Sequence, residues 1–168
     1  VLNRNHHPQP EGTYLIEADR HHLGEVLKNY FFDVVLDING YDRQDVSDLL
    51  DGLGEFGDYI FISSSAVYPE HLPQPFEETM KVGPNRYWGN YGTDKIEAEQ
   101  ELLKRVPGAY ILRPPYLYGP MNNVYREAFV FDCAMQDRIF YLPQDGSMKL
   151  QFFHIHDLCK CIDSIVRL

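Results

Sequence analysis

Cysteine is scarce in this chain. Cys133, Cys159 and Cys161 form an odd set without the spacing of a disulfide framework. That excludes a stapled secreted scaffold and fits a reduced, intracellular protein, so a cytoplasmic location is expected. Long apolar runs are also missing. None approaches the about 18 residues of a membrane span, and no signal-peptide pattern opens the sequence. Basic runs are absent too: the longest is Lys104-Arg105, and 15 basic against 25 acidic residues leave a net charge of −10. Such a field repels nucleic acid and anionic membranes. His154 and His156 could share a face of an extended segment, but no third ligand stands near them, so no metal is expected.

What is present is core material. The 168 residues are 44% apolar and 14% aromatic, enough for about one domain with a buried core and too aromatic for disorder. Strand and helix patterns alternate. Val1-Leu2 reads as the tail of a strand, and Tyr14–Ala18 as an extended segment with a helix from His22 to Tyr30 behind it. Asp33–Ile38 is a β-branched run closed by Asn39-Gly40. Asp42–Leu53 carries Val46, Leu49, Leu50 and Leu53 at helical spacing. Gly57–Ile62 is the next strand, and a polar, proline-bearing loop from Tyr68 to Arg86 leads to a helix ending near Val106. That helix is expected to turn Ile96, Leu103 and Val106 inward and to pair Glu101 with Arg105. Ala109–Leu112 is a fifth strand, stopped by Pro114-Pro115. Beyond Tyr116 the pattern predicts a helix near 124–135, a short strand near 139–142, an extended 150–153 and a last helix from Asp157, with Asp157 as its N-cap. The alternation implies a mainly parallel, doubly wound α/β sheet.

One constellation carries chemistry. Tyr91 and Lys95 lie four apart, on one face of their helix. Ser63-Ser64-Ser65, half of the chain's six serines, ends the apolar strand Tyr59–Ile62. In open α/β sheets ligands bind at that carboxyl edge. A phenol, an ammonium and a hydroxyl there could move a proton off an alcohol. The tyrosine–lysine spacing alone is common and equally suits a solvated helix face.

Several segments, taken in order, carry a resemblance. They are Val1–Arg4, Ala18-Asp19-Arg20, Phe32–Val35, Ile60–Tyr68, Tyr91–Lys95, Leu112–Pro120 and Phe153–Leu158. Together they resemble the extended short-chain dehydrogenases/reductases of the NAD(P)-dependent sugar epimerase/dehydratase type. The resemblance implies a Rossmann-like dinucleotide-binding domain over 1–115 and part of a small substrate lobe over 116–168. The family's glycine-rich turn, which sets pyrophosphate on a helix N-terminus, is not found. The chain is therefore expected to begin inside the family's second strand, to stop early in the substrate lobe, and to be a fragment.

The resemblance also implies roles. Tyr91 exchanges a proton with a substrate hydroxyl while hydride moves to or from a nicotinamide. Bringing a phenol from its usual pKa near 10 toward neutrality needs about 4 kcal/mol. One ammonium about 6 Å away at an effective dielectric of ~20 supplies roughly 2.8 kcal/mol, which Lys95 would provide while also holding the cofactor ribose. Ser64, four before Tyr68, is the expected hydroxyl on the reacting oxygen. Ser65 is the alternative and a substrate contact, though Ser63 and Ser65 equally suit backbone groups at the strand end.

Asn3 and Arg4 follow the second strand, where a guanidinium suits a ribose 2′-phosphate, so NADP is expected ahead of NAD; a solvated loop charge is the plainer account of Arg4. Asp19 and Arg20 would meet adenosine, with a capping role as the alternative for Asp19. Ile38, Asn39 and Gly40 would pass beneath the pyrophosphate, and Pro114 would pack near the nicotinamide. Tyr116 and Arg126 would face a small-molecule substrate, for which a nucleotide sugar is the model; Arg126 also suits a surface role. A homodimer is compatible with the family. Ser65-Ala66 after Ser64 lacks the acidic pair of a sugar dehydratase, which favours an epimerase or reductase. The competing expectation is a non-catalytic relative, either a dinucleotide sensor or an RNA-associated protein of the chloroplast stem-loop-binding kind.

Overall fold

Apolar runs of period two alternate with apolar runs of helical period, and strands alternate with helices accordingly. The computed structural model describes every residue except Pro143 and Met148. Its elements are β1 (Leu2–Asn3), β2 (Ile16–Glu17), β3 (Phe31–Asp37), α1 (Arg43–Gly52), β4 (Glu55–Ile62), α2 (Asn90–Arg105), β5 (Tyr110–Leu112), β6 (Tyr116–Tyr118), α3 (Glu127–Met135), β7 (Phe152–His154) and α4 (Ile155–Val166). Every pairing among the described residues is parallel: β1 with β2, β4 with both β3 and β5, and β6 with β7. The fold is α/β with parallel sheets and Rossmann-like. The ladders form three sheets, β1-β2, β3-β4-β5 and β6-β7, where the sequence suggested one. The chain divides into two units, Val1–Arg113 and Pro114–Leu168.

In the first unit, the β3–β4–β5 register places Val35 beside Tyr59, Asp37 beside Phe61 and Phe61 beside Ile111 on one face. That face packs on α1 and α2: Val46, Leu49, Leu50, Tyr59, Phe61, Ala98 and Leu102 form one buried cluster. Asp42 starts α1 by accepting the Asp45 N–H at 2.9 Å. Lys28 closes its other end, donating from Nζ to the carbonyls of Asp51 at 2.5 Å and Leu53 at 3.1 Å.

Several sequence expectations are corrected. The helix from His22 to Tyr30 is a 3-10 turn over Arg20–His22 followed by further turns, with Val26, Lys28 and Tyr30 each bonded three residues back. Gly24 takes φ +50°, which breaks helical continuation, yet Leu23 and Leu27 still reach the core. On α2 the buried face is Gly92, Lys95, Ile96, Ala98, Glu99 and Leu102. Leu102 is fully buried and Leu103 is 41% exposed. The expected Ile96 and Val106 do face the interior, but Leu103 does not: Ala98, Leu102 and the charged Lys95 and Glu99 complete the inward face. Arg105 pairs with Asp51 of α1 at 2.7 Å, an interhelical partner in place of Glu101.

In the second unit, residues 139–142 form no strand. The cap of α4 is His154, whose Nδ1 accepts the His156 N–H at 3.2 Å, while Asp157 sits in the first turn and pairs with Lys160 at 3.0 Å. Among the described residues no helix is long and apolar enough to cross a membrane.

The phase of α2 can be tested directly. Leu102→Ala should cost about 2–5 kcal/mol in urea unfolding, as a buried leucine truncation does, and Leu103→Ala less than about 1 kcal/mol.

Candidate active site

The carboxyl ends of β3 and β4 and the start of α2 converge on Lys95. Its residue is 2% exposed. Nζ donates to the Gly40 carbonyl at 2.7 Å, just beyond β3, and to the Ile62 carbonyl at 2.9 Å, the last residue of β4. The Phe61 and Tyr41 rings lie 4.9 and 5.1 Å from it. Burial pulls the Lys95 pKa down to about 8, against the opposing charge of Asp37.

Tyr91 lies one turn earlier on the same helix and is 38% exposed, its ring 6.4 Å from that of Tyr41 and 6.1 Å from that of Trp88. Between them, Gly92 allows a close approach. A side-chain carbon there would lie 2.5 Å from the Ala66 carbonyl oxygen, so α2 seats directly on the turn that follows Ser64. Ser64 begins that 3-10 turn, and its Oγ accepts the Ala66 N–H at 3.2 Å. Ser65 is half-buried in the same turn.

Ser63 is buried and differently employed. It donates to Glu99 Oε1 at 2.5 Å, and Glu99 also takes two bonds from Arg113, at 2.9 and 2.6 Å. Arg113 donates its remaining reach to the Tyr68 hydroxyl at 2.8 Å. The Glu99 bond holds the Arg113 pKa above its usual value, against burial. This network ties the strand-end turn to α2 and to the end of β5.

The expected cofactor residues of the first unit gather at neighbouring strand ends. Asn3 closes β1, its side chain bonded to Gln9 and Asn5, with Arg4 exposed beside it. Asp19 follows β2 and caps the Arg20–His22 turn through the His21 N–H; that bond, and Arg4 nearby, lower its pKa. Arg20 turns inward, pairing with Asp37 at 2.6 and 3.2 Å and with the Asp45 carbonyl at 3.2 Å. Asp37 also accepts the Tyr59 hydroxyl at 2.9 Å, and burial, then Asp37, raises the Tyr59 pKa. Ile38 and Asn39 are exposed, while Gly40 is buried. A side-chain carbon at Gly40 would lie 2.7 Å from the Phe61 ring and 2.8 Å from Asp37, so only glycine fits.

Pro114, Tyr116 and Arg126 belong to the second unit, where the Arg126 guanidinium lies 4.9 Å over the Tyr116 ring. Five residues of these networks escaped the sequence reading: Asp37, Tyr41, Tyr59, Glu99 and Arg113. Two left a signal. Asp37 is an acid inside an apolar strand, and Glu99 falls one turn after Lys95 on the same face.

Residues 34–168 match the model of the NAD dependent epimerase/dehydratase family, and the chain belongs to that family. It is 34% identical over 128 residues to the chloroplast stem-loop binding protein of 41 kDa b of Arabidopsis thaliana, covering 76% of this chain and 32% of that protein. Its fold matches UDP-N-acetylglucosamine 4-epimerase from Bacillus cereus with a TM-score of 0.75 at 18% identity, over 99% of this chain and 63% of that one. A mutant UDP-glucuronic acid 4-epimerase from the same organism, in complex with UDP-4-deoxy-4-fluoro-glucuronic acid and NAD, matches at 0.69 and 20% identity, over 91% of this chain and 55% of its own. The chain thus spans about a third of the curated relative and less than two thirds of these solved structures.

The Glu99–Arg113 pair gives a check on the network. Arg113→Met leaves a buried carboxylate without its partner and should cost about 3–5 kcal/mol, read by urea unfolding. A loss below about 1 kcal/mol would mean that the pair does not hold the turn.

Proposed function

We propose that this chain carries the reacting part of a nicotinamide-dependent epimerase or reductase whose substrate is a nucleotide sugar or a similar hydroxyl compound. The observation that carries the reading is the placement of Lys95 in a family member. It is a buried ammonium at the strand ends, with an exposed Tyr91 phenol one turn away and the Ser64 turn packed under Gly92. Tyr91 takes the proton of the substrate hydroxyl and returns it on the reverse step. Ser64 orients the reacting oxygen, with Ser65 beside it in the turn. Lys95 keeps positive charge near the phenol and offers its remaining N–H to ribose hydroxyls. The bound nicotinamide supplies the hydride acceptor and donor.

The residues present fit a dinucleotide. Ile38 and Asn39 are exposed just beyond β3, and Asp19 and the exposed Arg4 lie just beyond β2 and β1. Arg4 supports NADP over NAD, since a guanidinium matches a 2′-phosphate. Arg20 acts through Asp37, the last residue of β3, and so positions residues 38–40 that follow. In the second unit, Tyr116 with Arg126 suits an anionic, ring-bearing substrate, and Pro114 leads into that region. A cytoplasmic homodimer is the setting proposed.

A second reading, RNA association without chemistry, is favoured by the stem-loop binding relative. The net charge of −10 speaks against it.

Tyr91→Phe removes one hydroxyl and should lower hydride transfer by at least about 10²-fold while dinucleotide binding survives. The assay follows reduced-cofactor absorbance and product analysis with a panel of nucleotide sugars in the full-length protein. Binding without turnover, unchanged by Tyr91→Phe, would favour the second reading. For the cofactor, NADP(H) should bind more tightly than NAD(H), and Arg4→Ala should erase the difference. Equal affinities in the unsubstituted protein would remove the NADP assignment.

A further inference from the structure

The covering of Lys95 is unequal on its two aromatic sides. Phe61 is fully buried within β4, whereas Tyr41 is 56% exposed. Two of the three ammonium protons go to the Gly40 and Ile62 carbonyls. Of the two rings beside the ammonium only Tyr41 is exposed, with its centroid 5.1 Å from Nζ. The Tyr41 backbone is fixed: its N–H donates to Asp45 Oδ2 at 2.7 Å, and the preceding carbonyl is held by Lys95 itself. Only the side chain can move, and an exposed ring rotates readily about its side-chain bonds.

We propose that the Tyr41 ring is a gate over Lys95, closed in this structure, that must swing outward before a ligand oxygen can reach the third ammonium proton. The same ring lies 6.4 Å from that of Tyr91, tilted by 56°, so one rotation changes the surroundings of both residues. The ligand class, the hydroxyls of a dinucleotide ribose, rests on the function proposed above; the gate does not. A closed ring reduces apparent ligand affinity by the fraction of time it stays closed.

Site-resolved acetylation at pH 8, read by mass spectrometry against the exposed Lys104, tests the gate without any ligand. With its pKa drawn down to about 8, Lys95 is close to half neutral under these conditions, so access governs its labelling. Tyr41→Ala should raise Lys95 labelling by about tenfold or more, as expected if the ring is mostly closed. Tyr41→Phe keeps the ring and should label like the unsubstituted protein, with unchanged circular dichroism in both variants. Equal Lys95 labelling in Tyr41→Ala and the unsubstituted protein would overturn the gate. In dinucleotide titrations Tyr41→Ala should tighten binding by about 3- to 30-fold, the closed fraction having been removed. If labelling rises while the unsubstituted protein binds no dinucleotide, the gate stands and the proposed function fails.

Discussion

A buried ammonium must find oxygen, and the site is organised around that requirement. Lys95 finds two carbonyls, one just past β3 and one at the end of β4, and thereby joins two strand ends to α2. Its burial is unfavourable to the charged form, which is why its pKa falls to about 8 from the ordinary 10.5. The sign of the linkage follows. Between those two values the unfolded chain binds more protons than the folded one, so through this group stability rises as pH climbs from about 8 toward 10.5. Below about 8 the charged form is present in both states, and the fold bears the full cost of burying it. That stability cost is what the proposed role of Lys95 beside the exposed Tyr91 phenol would account for.

Two further polar networks make the same junction rigid. Asp37 gathers Arg20 and the Tyr59 hydroxyl beneath Gly40, and Glu99 gathers Ser63 and Arg113 beneath the serine turn. No buried side-chain nitrogen or oxygen among the described residues lacks a partner. Such networks specify geometry when fully satisfied. Gly40 and Gly92 contribute by absence: each permits a contact that a side-chain carbon would block. Strand ends, turn and helix are thereby held together around Lys95.

Much of this was legible in the sequence. The order of most strands and helices followed from apolar periodicity, and the spacing of four agrees with a buried Lys95 one helical turn from an exposed Tyr91. Failures came where tertiary contacts overrode local pattern. Leu103 is apolar, yet it lies outside the inward face, which Leu102, Lys95 and Glu99 occupy. The segment after His22 has helical composition, but Gly24 at positive φ converts it to turns that still bury Leu23 and Leu27. For Arg20, expected at a cofactor, what no local pattern announces is its partner Asp37, 17 residues away. Tyr41 carried no signal, since an exposed tyrosine after a glycine is ordinary in sequence.

The site as a whole rests on Lys95 being a buried ammonium bound to the strand-end carbonyls. Its side-chain NMR resonances, followed through a pH titration of the folded protein and assigned by Lys95→Met, measure this directly. Burial at the strand ends should give a midpoint near pH 8. A midpoint at the ordinary lysine value of about 10.4 would place the ammonium in water and contradict it.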